Sequence, residues 1–116
     1  MSEDIDALTE KLRAFANARD WSQFHSPKNL ASALSVESGE LLEHFQWLTD
    51  EQSRHLTVAQ KQAVAMEVAD VLLYLLRFCD TLGIDPLAAA HEKMVLNEQR
   101  YPVESARGNS KKYTEL

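Results

Sequence analysis

Glu37, Glu40 and Glu43 fall three residues apart in "SVESGELLEHFQW" (35–47), inside a pattern that otherwise reads as a buried helix. Glu67 and Asp70 repeat the same spacing in "AMEVADVLLYLL" (65–76). Residues three apart share a helix face, so each pair presents two carboxylates side by side. Leu34, Leu41 and Leu42 flank the first pair, and Val64, Val68, Val71 and Leu72 the second. Carboxylates in apolar surroundings need a partner. If the two helices are antiparallel neighbours, the four acids meet, and they repel strongly in a low dielectric. Either some of them hold protons, or they bind a divalent cation. No Lys or Arg follows on that stripe until Arg77, so local salt-bridging is a poor third choice.

All four groups are hard oxygen ligands, which suit Mg²⁺, or Mn²⁺ in its place, better than zinc. A di-iron carboxylate site would need Glu-x-x-His on two helices. His25, His44, His55 and His91 are preceded at that distance by Ser22, Leu41, Gln52 and Ala88, so that signature is absent. Glu43 extends the acidic stripe less closely. Farther along the first stripe come His44 and Trp47; along the second comes Tyr74. Trp21 and His25 stand just before the helix that carries Glu37. Lys93, Asn97 and Arg100 form a polar stripe at spacings of four and three. Aromatic faces, two cations and an amide beside a magnesium-type site are what a nucleotide with a polyphosphate requires. Trp47 and Tyr74 read equally well as core packing, and Lys93 and Arg100 as a solvated helix face. No Gly-rich phosphate loop is present, so metal and side chains would hold the phosphates.

The elements that must position these groups are helical. Ile5, Leu8, Leu12, Phe15 and Ala16 form the apolar stripe of a first helix, to about Arg19. Ser26-Pro27 starts a second, with Leu30, Leu34, Leu41, Leu42 and Phe45 as core candidates, reaching about Leu48. "TDEQSRHL" reads as a polar connector. Thr57 caps a third helix that ends at Gly83. Asp85-Pro86 opens a fourth that stops before Pro102. The expected fold is all-α, an antiparallel four-helix bundle. The third helix is apolar around most of its circumference, which places it at the centre of the bundle or of an oligomer. Residues 1–106 are expected to form the helical domain and 107–116 a basic tail, and the stretch from Val103 onward to have little structure of its own.

The 116 residues fit one domain, with 45% apolar content and only three Gly and three Pro. The single cysteine, Cys79, leaves no internal disulfide and no Cys-based zinc site, and reads as a small buried hydrophobe. The acidic start lacks a signal-peptide core, and the longest apolar run is Val71 to Leu76, far short of a membrane span. The expectation is a soluble, cytoplasmic protein that does not engage a membrane. A net charge of −6 disfavours a nucleic-acid polymer as partner.

"ESGE" and "EVAD", separated by 26 residues, resemble the E-x-x-E … E-x-x-D signature of the MazG-like all-α nucleoside triphosphate pyrophosphohydrolases. The dCTP pyrophosphatase branch matches best, through "RDWSQFHSPKNLA" (19–31), "ESGELLEHFQW" (37–47), "EVADVLLYLL" (67–76), "KMVLNEQRYP" (93–102) and "SKKYTEL" (110–116). The resemblance implies a Mg²⁺-dependent four-helix enzyme that cleaves a nucleoside triphosphate between the α and β phosphates. It also implies a homodimer or homotetramer. Glu37, Glu40, Glu67 and Asp70 carry over as metal ligands, with Glu37 or Glu40 activating water. Trp21, His25, Trp47 and Tyr74 carry over as the base and sugar pocket. Lys93, Asn97, Arg100, Tyr101 and Lys112 carry over as phosphate ligands. The same chemistry on another nucleotide such as dUTP, or a non-enzymatic module whose acids bind a cation, are the competing expectations.

Overall fold

The computed structural model describes residues 4–116, and every regular element in them is helical. The first three residues of the acidic start lie outside the described residues. Six α-helices follow one another: α1 Ile5–Ala18, α2 Pro27–Glu43, α3 Asp50–Ser53, α4 Val58–Leu82, α5 Pro86–Arg100 and α6 Val103–Ala106. Single 3-10 turns span Ser22–Phe24 and Tyr113–Glu115. The all-α class is therefore as expected.

The helix starts are encoded locally. Asp4, Ser26, Thr57 and Asp85 each sit in extended backbone, and their side chains accept from the N–H of Ala7, Asn29, Gln60 and Ala88. Pro27 and Pro86 occupy the first helical positions, where a missing N–H costs nothing. Gly83 ends α4 at φ +67, a left-handed conformation that an L side chain adopts at a cost.

Two segments differ from expectation. The second helix stops at Glu43 instead of continuing to about Leu48. Tightened turns close it, with Phe45 and Gln46 N–H both reaching Leu42 O. A new start then forms at once: Thr49 and Gln52 make a reciprocal capping box, which turns the expected connector into α3. The expected unstructured end also contains α6 and the last 3-10 turn.

The chain divides into two compact units, the first ending at Gly83 and the second running Ile84–Leu116. In the first unit α1 and α2 both pack on α4. Ser22 and His25, just before α2, meet Arg77, whereas Glu37 meets Glu67 and Asp70, so α2 runs antiparallel to α4. Leu8 shares a cavity wall with Leu73, and Arg13 pairs with Asp80, so α1 runs in the same direction as α4. Between α1 and α2 the chain reverses at Asp20, whose φ of 55 is tolerated by Asp better than by most residues. Gln23 Nε2 donates to both the backbone carbonyl and the carboxylate of Asp20 and holds the reversal.

Among the described residues, Ala16, Leu30, Leu76 and Cys79 are the buried apolar ones, together with one buried charge, Arg77. Cys79 is thus the small buried hydrophobe expected. Of the expected core positions only Ala16 and Leu30 are buried; most of the rest are half-buried, and Phe15 and Leu42 are exposed, at 47% and 61%. In the second unit the Tyr113 ring lies 6.0 Å from that of Tyr101, and the Arg100 guanidinium stands 4.6 Å above it. These contacts tie the final turn to the end of α5.

Candidate metal centre

The antiparallel pairing of α2 and α4 brings the two acid pairs together. Glu37, Glu67 and Asp70 each offer an oxygen within 4.8 Å of the others. Glu37 Oε2 and Glu67 Oε1 are buried and meet no hydrogen-bond partner. Two ionised carboxylates have no proton to share, so a bond between them forms only when one is protonated. Accordingly the Glu37 carboxyl is raised above its ordinary range, chiefly by the hydrogen bond to Glu67 and further by burial and the charges of Glu67 and Asp70. Glu40, more exposed, stands beside this group. Its carboxyl is also raised, first by its hydrogen bond to Glu37 and then by Glu37's charge.

Orphaned buried oxygens on converging carboxylates are the feature a divalent cation would satisfy. The donor set fits such an ion, since every donor is a hard oxygen. Arg77, the first cation past Asp70 on α4, is engaged elsewhere: it donates to His25 Nδ1 (3.1 Å), Asp80 Oδ2 (3.1 Å) and Ser22 Oγ (3.3 Å).

A cavity of about 180 Å³ opens next to the acids, and Asp70 lines it. Its other walls include Phe15, Trp21, His25, Tyr74 and Arg77. Whole-ligand pockets run to roughly 300–1,000 Å³, so this volume suits a flat ring more than an entire nucleotide. Its rim is ordered by edge-to-face contacts. The Trp21 ring lies 5.6 Å from Phe15 and 6.3 Å from His25. The Arg19 guanidinium stacks 3.6 Å over Phe15.

Three of the four expected base-pocket residues, Trp21, His25 and Tyr74, therefore line one cavity. Trp47 does not. The stripe that was to carry His44 and Trp47 ends with the helix at Glu43, and Trp47 is 87% exposed in the turn that follows. In the second unit, Lys93 is exposed on α5, Asn97 and Arg100 are half-buried on it, Tyr101 caps it, and Lys112 precedes the last 3-10 turn. Phe15 and Arg77 were not singled out as site residues. Phe15 was absorbed into the core stripe of α1. Arg77 carried a signal: a lone charge in the apolar run "LLYLLRFC" demands an internal partner.

A helical protein with three converging carboxylates, a fourth beside them and a ring-lined cavity has the make-up of a divalent-cation site next to a binding pocket. The chain belongs to the MazG-like family, whose model matches residues 32–116. It is 44% identical to dCTP pyrophosphatase 1 of Homo sapiens over 98% of this chain and 66% of that protein, with the same figures for the Rattus norvegicus protein. The chain thus spans just under two thirds of the length of these relatives. A crystal structure of a pyrophosphatase from Archaeoglobus fulgidus is 41% identical, with a TM-score of 0.81 over 88% of this chain and 95% of that one.

Proposed function

We propose that this chain is a Mg²⁺-dependent nucleoside triphosphate pyrophosphohydrolase that converts dCTP, and 5-modified dCTP, to the monophosphate and pyrophosphate. The observation that carries the reading is the acid cluster with two unpartnered buried oxygens, set against a cavity walled by aromatic rings. Its similarity to proteins named dCTP pyrophosphatase 1 supports the choice of substrate.

In this reading Glu37, Glu40, Glu67 and Asp70 would hold the cation, Mg²⁺ by preference and Mn²⁺ as a substitute. When bound, the cation supplies charge neutralisation at the phosphate oxygens. Water attacks the α-phosphorus, the bond from that phosphorus to the bridging oxygen breaks, and pyrophosphate leaves. Glu37 or Glu40 takes the proton from the water. Trp21, His25 and Tyr74 receive the base. Lys93, Asn97, Arg100, Tyr101 and Lys112 donate to the phosphates. Residues 1–106 form the helical domain, and the tail 107–116 closes over the triphosphate. The working form is a homodimer or homotetramer of a four-helix bundle, acting in the cytoplasm to clean up the nucleotide pool.

The test is pyrophosphate release from the eight common dNTPs and NTPs and 5-methyl-dCTP, with Mg²⁺ and with EDTA. Mg²⁺-dependent release, highest on dCTP, is expected. Highest release from another nucleotide, such as dUTP, would keep the chemistry and overturn the base assignment. No release from any would turn the reading toward a cation-binding helical module.

A further inference from the structure

Arg77 is a full guanidinium charge buried to 8% exposure near the C-terminal end of α4, and none of the proposed chemistry uses it. Each of its three nitrogens nonetheless donates one bond. Nη1 donates to Asp80 Oδ2, Nη2 to Ser22 Oγ and Nε to His25 Nδ1. The two acceptors that anchor it are themselves held. Asp80 takes a bidentate pair from Arg13, Nε to Oδ2 at 2.9 Å and Nη2 to Oδ1 at 2.6 Å. Ser22 Oγ donates onward to Asn17 Oδ1 at 2.8 Å, so its lone pairs are free for Arg77. The guanidinium is thereby fixed from two sides, and its third edge can only face His25.

That contact dictates the state of the imidazole. Arg has donors only and stays protonated in proteins. Nδ1 of His25 must therefore be a bare acceptor, and the ring's one proton must sit on Nε2. A second proton on Nδ1 would oppose the Arg77 N–H. Burial, followed by the Arg77 charge, lowers the His25 pKa accordingly. No group among the described residues bonds Nε2, and the side chain that carries it lines the ring-walled cavity with Trp21 and Tyr74.

We propose that Arg77 is a positioning residue that locks His25 as the neutral Nε2–H tautomer, making it an obligate hydrogen-bond donor to an acceptor on the edge of the bound base. Cytosine offers such acceptors at its ring carbonyl and ring nitrogen. The inference rests on the proposed nucleotide reading for its ligand, but the tautomer stands on this chain's own geometry.

The test has two readouts on the whole chain. The first is ¹⁵N NMR of the histidine ring nitrogens in nucleotide-free protein at neutral pH. His25 should show Nδ1 as a bare nitrogen and Nε2 as N–H. In Arg77→Met, and in Arg77→Lys, which cannot serve Asp80 and His25 with a rigid fork, that signature should give way to tautomer exchange. The second is kinetics. Loss of one oriented bond should raise KM for dCTP about tenfold, with kcat little changed. A purely structural role would lower the melting temperature and the active fraction and leave KM and the ring signals alone. If Arg77→Met does not fold, Arg77→Lys and the wild-type spectrum decide. A proton on Nδ1 in the wild type overturns the lock. A lost lock with unchanged KM overturns the contact to the base. Failure of dCTP turnover with the expected spectrum would sink the nucleotide reading and leave the tautomer standing, whereas normal turnover with the wrong tautomer would sink only this inference.

Discussion

The charge state of Glu37 and Glu40 governs both the proposed chemistry and the stability of the cation-free protein. A carboxyl raised by folding is bound more tightly to its proton in the native state than in the unfolded chain. Its contribution is therefore fully present below the ordinary value of 4.5 and is lost as pH rises through the raised native value. At neutral pH the cation-free cluster carries unrelieved repulsion, which a bound divalent cation would remove. Millimolar Mg²⁺ should raise the melting temperature at pH 8 and do so much less at pH 5, where protons compete for the same oxygens. Glu37→Gln removes one charge at nearly constant volume. In EDTA at pH 8 it should melt higher than the wild type, while pyrophosphate release falls on the order of 100-fold or more. Melting in EDTA and in Mg²⁺ beside a release assay checks all three; a Glu37→Gln protein that melts lower in EDTA would show that the acids do not repel. The two acid pairs were legible because i, i+3 spacing is a local rule. The bond between Arg77 and His25 was not, since it depends on how the reversal at Asp20 returns the chain over α4, fifty-two residues away in sequence.

At the scale of elements the caps explain which boundaries could be read. Ser26-Pro27, Thr57 and Asp85-Pro86 announce helix starts, and Gly83 a stop, each by short-range chemistry. The end of α2 has no such stop signal. Leu41, Leu42 and Phe45 continue the helical period past Glu43, so the pattern alone extends the helix to Trp47 and Leu48. What ends it is the next start, the Thr49–Gln52 box, with the same T-x-x-Q form as the Thr57–Gln60 box of α4. Misjudging that boundary misplaces Trp47, which is why it alone of the four aromatic and imidazole groups left the cavity. Gly83 offers a clean test of how much one cap holds. A methyl group there would meet nothing within 4 Å, so only the positive φ resists it. Gly83→Ala should cost about 1 kcal/mol. Thr57→Ala should cost about the same, through one lost side-chain acceptor at the other end of α4. Urea denaturation of both variants reads the two ends of the helix that carries Glu67 and Asp70, and a neutral Gly83→Ala would mean that the αL cap is not held in solution.

The whole molecule raises a question that no single element answers: why so apolar a helix as α4 is left so open. Val68, Leu72, Leu75 and Leu82 are 49%, 36%, 38% and 49% exposed. They are spaced by four, three and seven, so they fall along one seam of the helix. Cys79, on the same spacing, is buried. On α2, Val36 and Leu42 are 60% and 61% exposed as well. Scattered exposed apolar residues are ordinary, but a heptad-spaced row on the helix that carries half of the acid cluster is the kind of surface a partner helix covers. The sequence pattern already allowed two places for this helix, a bundle centre or an oligomer interface, and the row at 68, 72, 75 and 82 favours the second. A second copy of the chain is the occupant this implies, since each copy would bring the same row to an isologous contact. Light scattering coupled to size exclusion should then give two or four times the 13.1 kDa chain mass. The melting temperature should rise with protein concentration, because association stabilises only the folded form. A mass of 13.1 kDa with a concentration-independent melting temperature would mean that α4 keeps this row in water and that the site works from one chain.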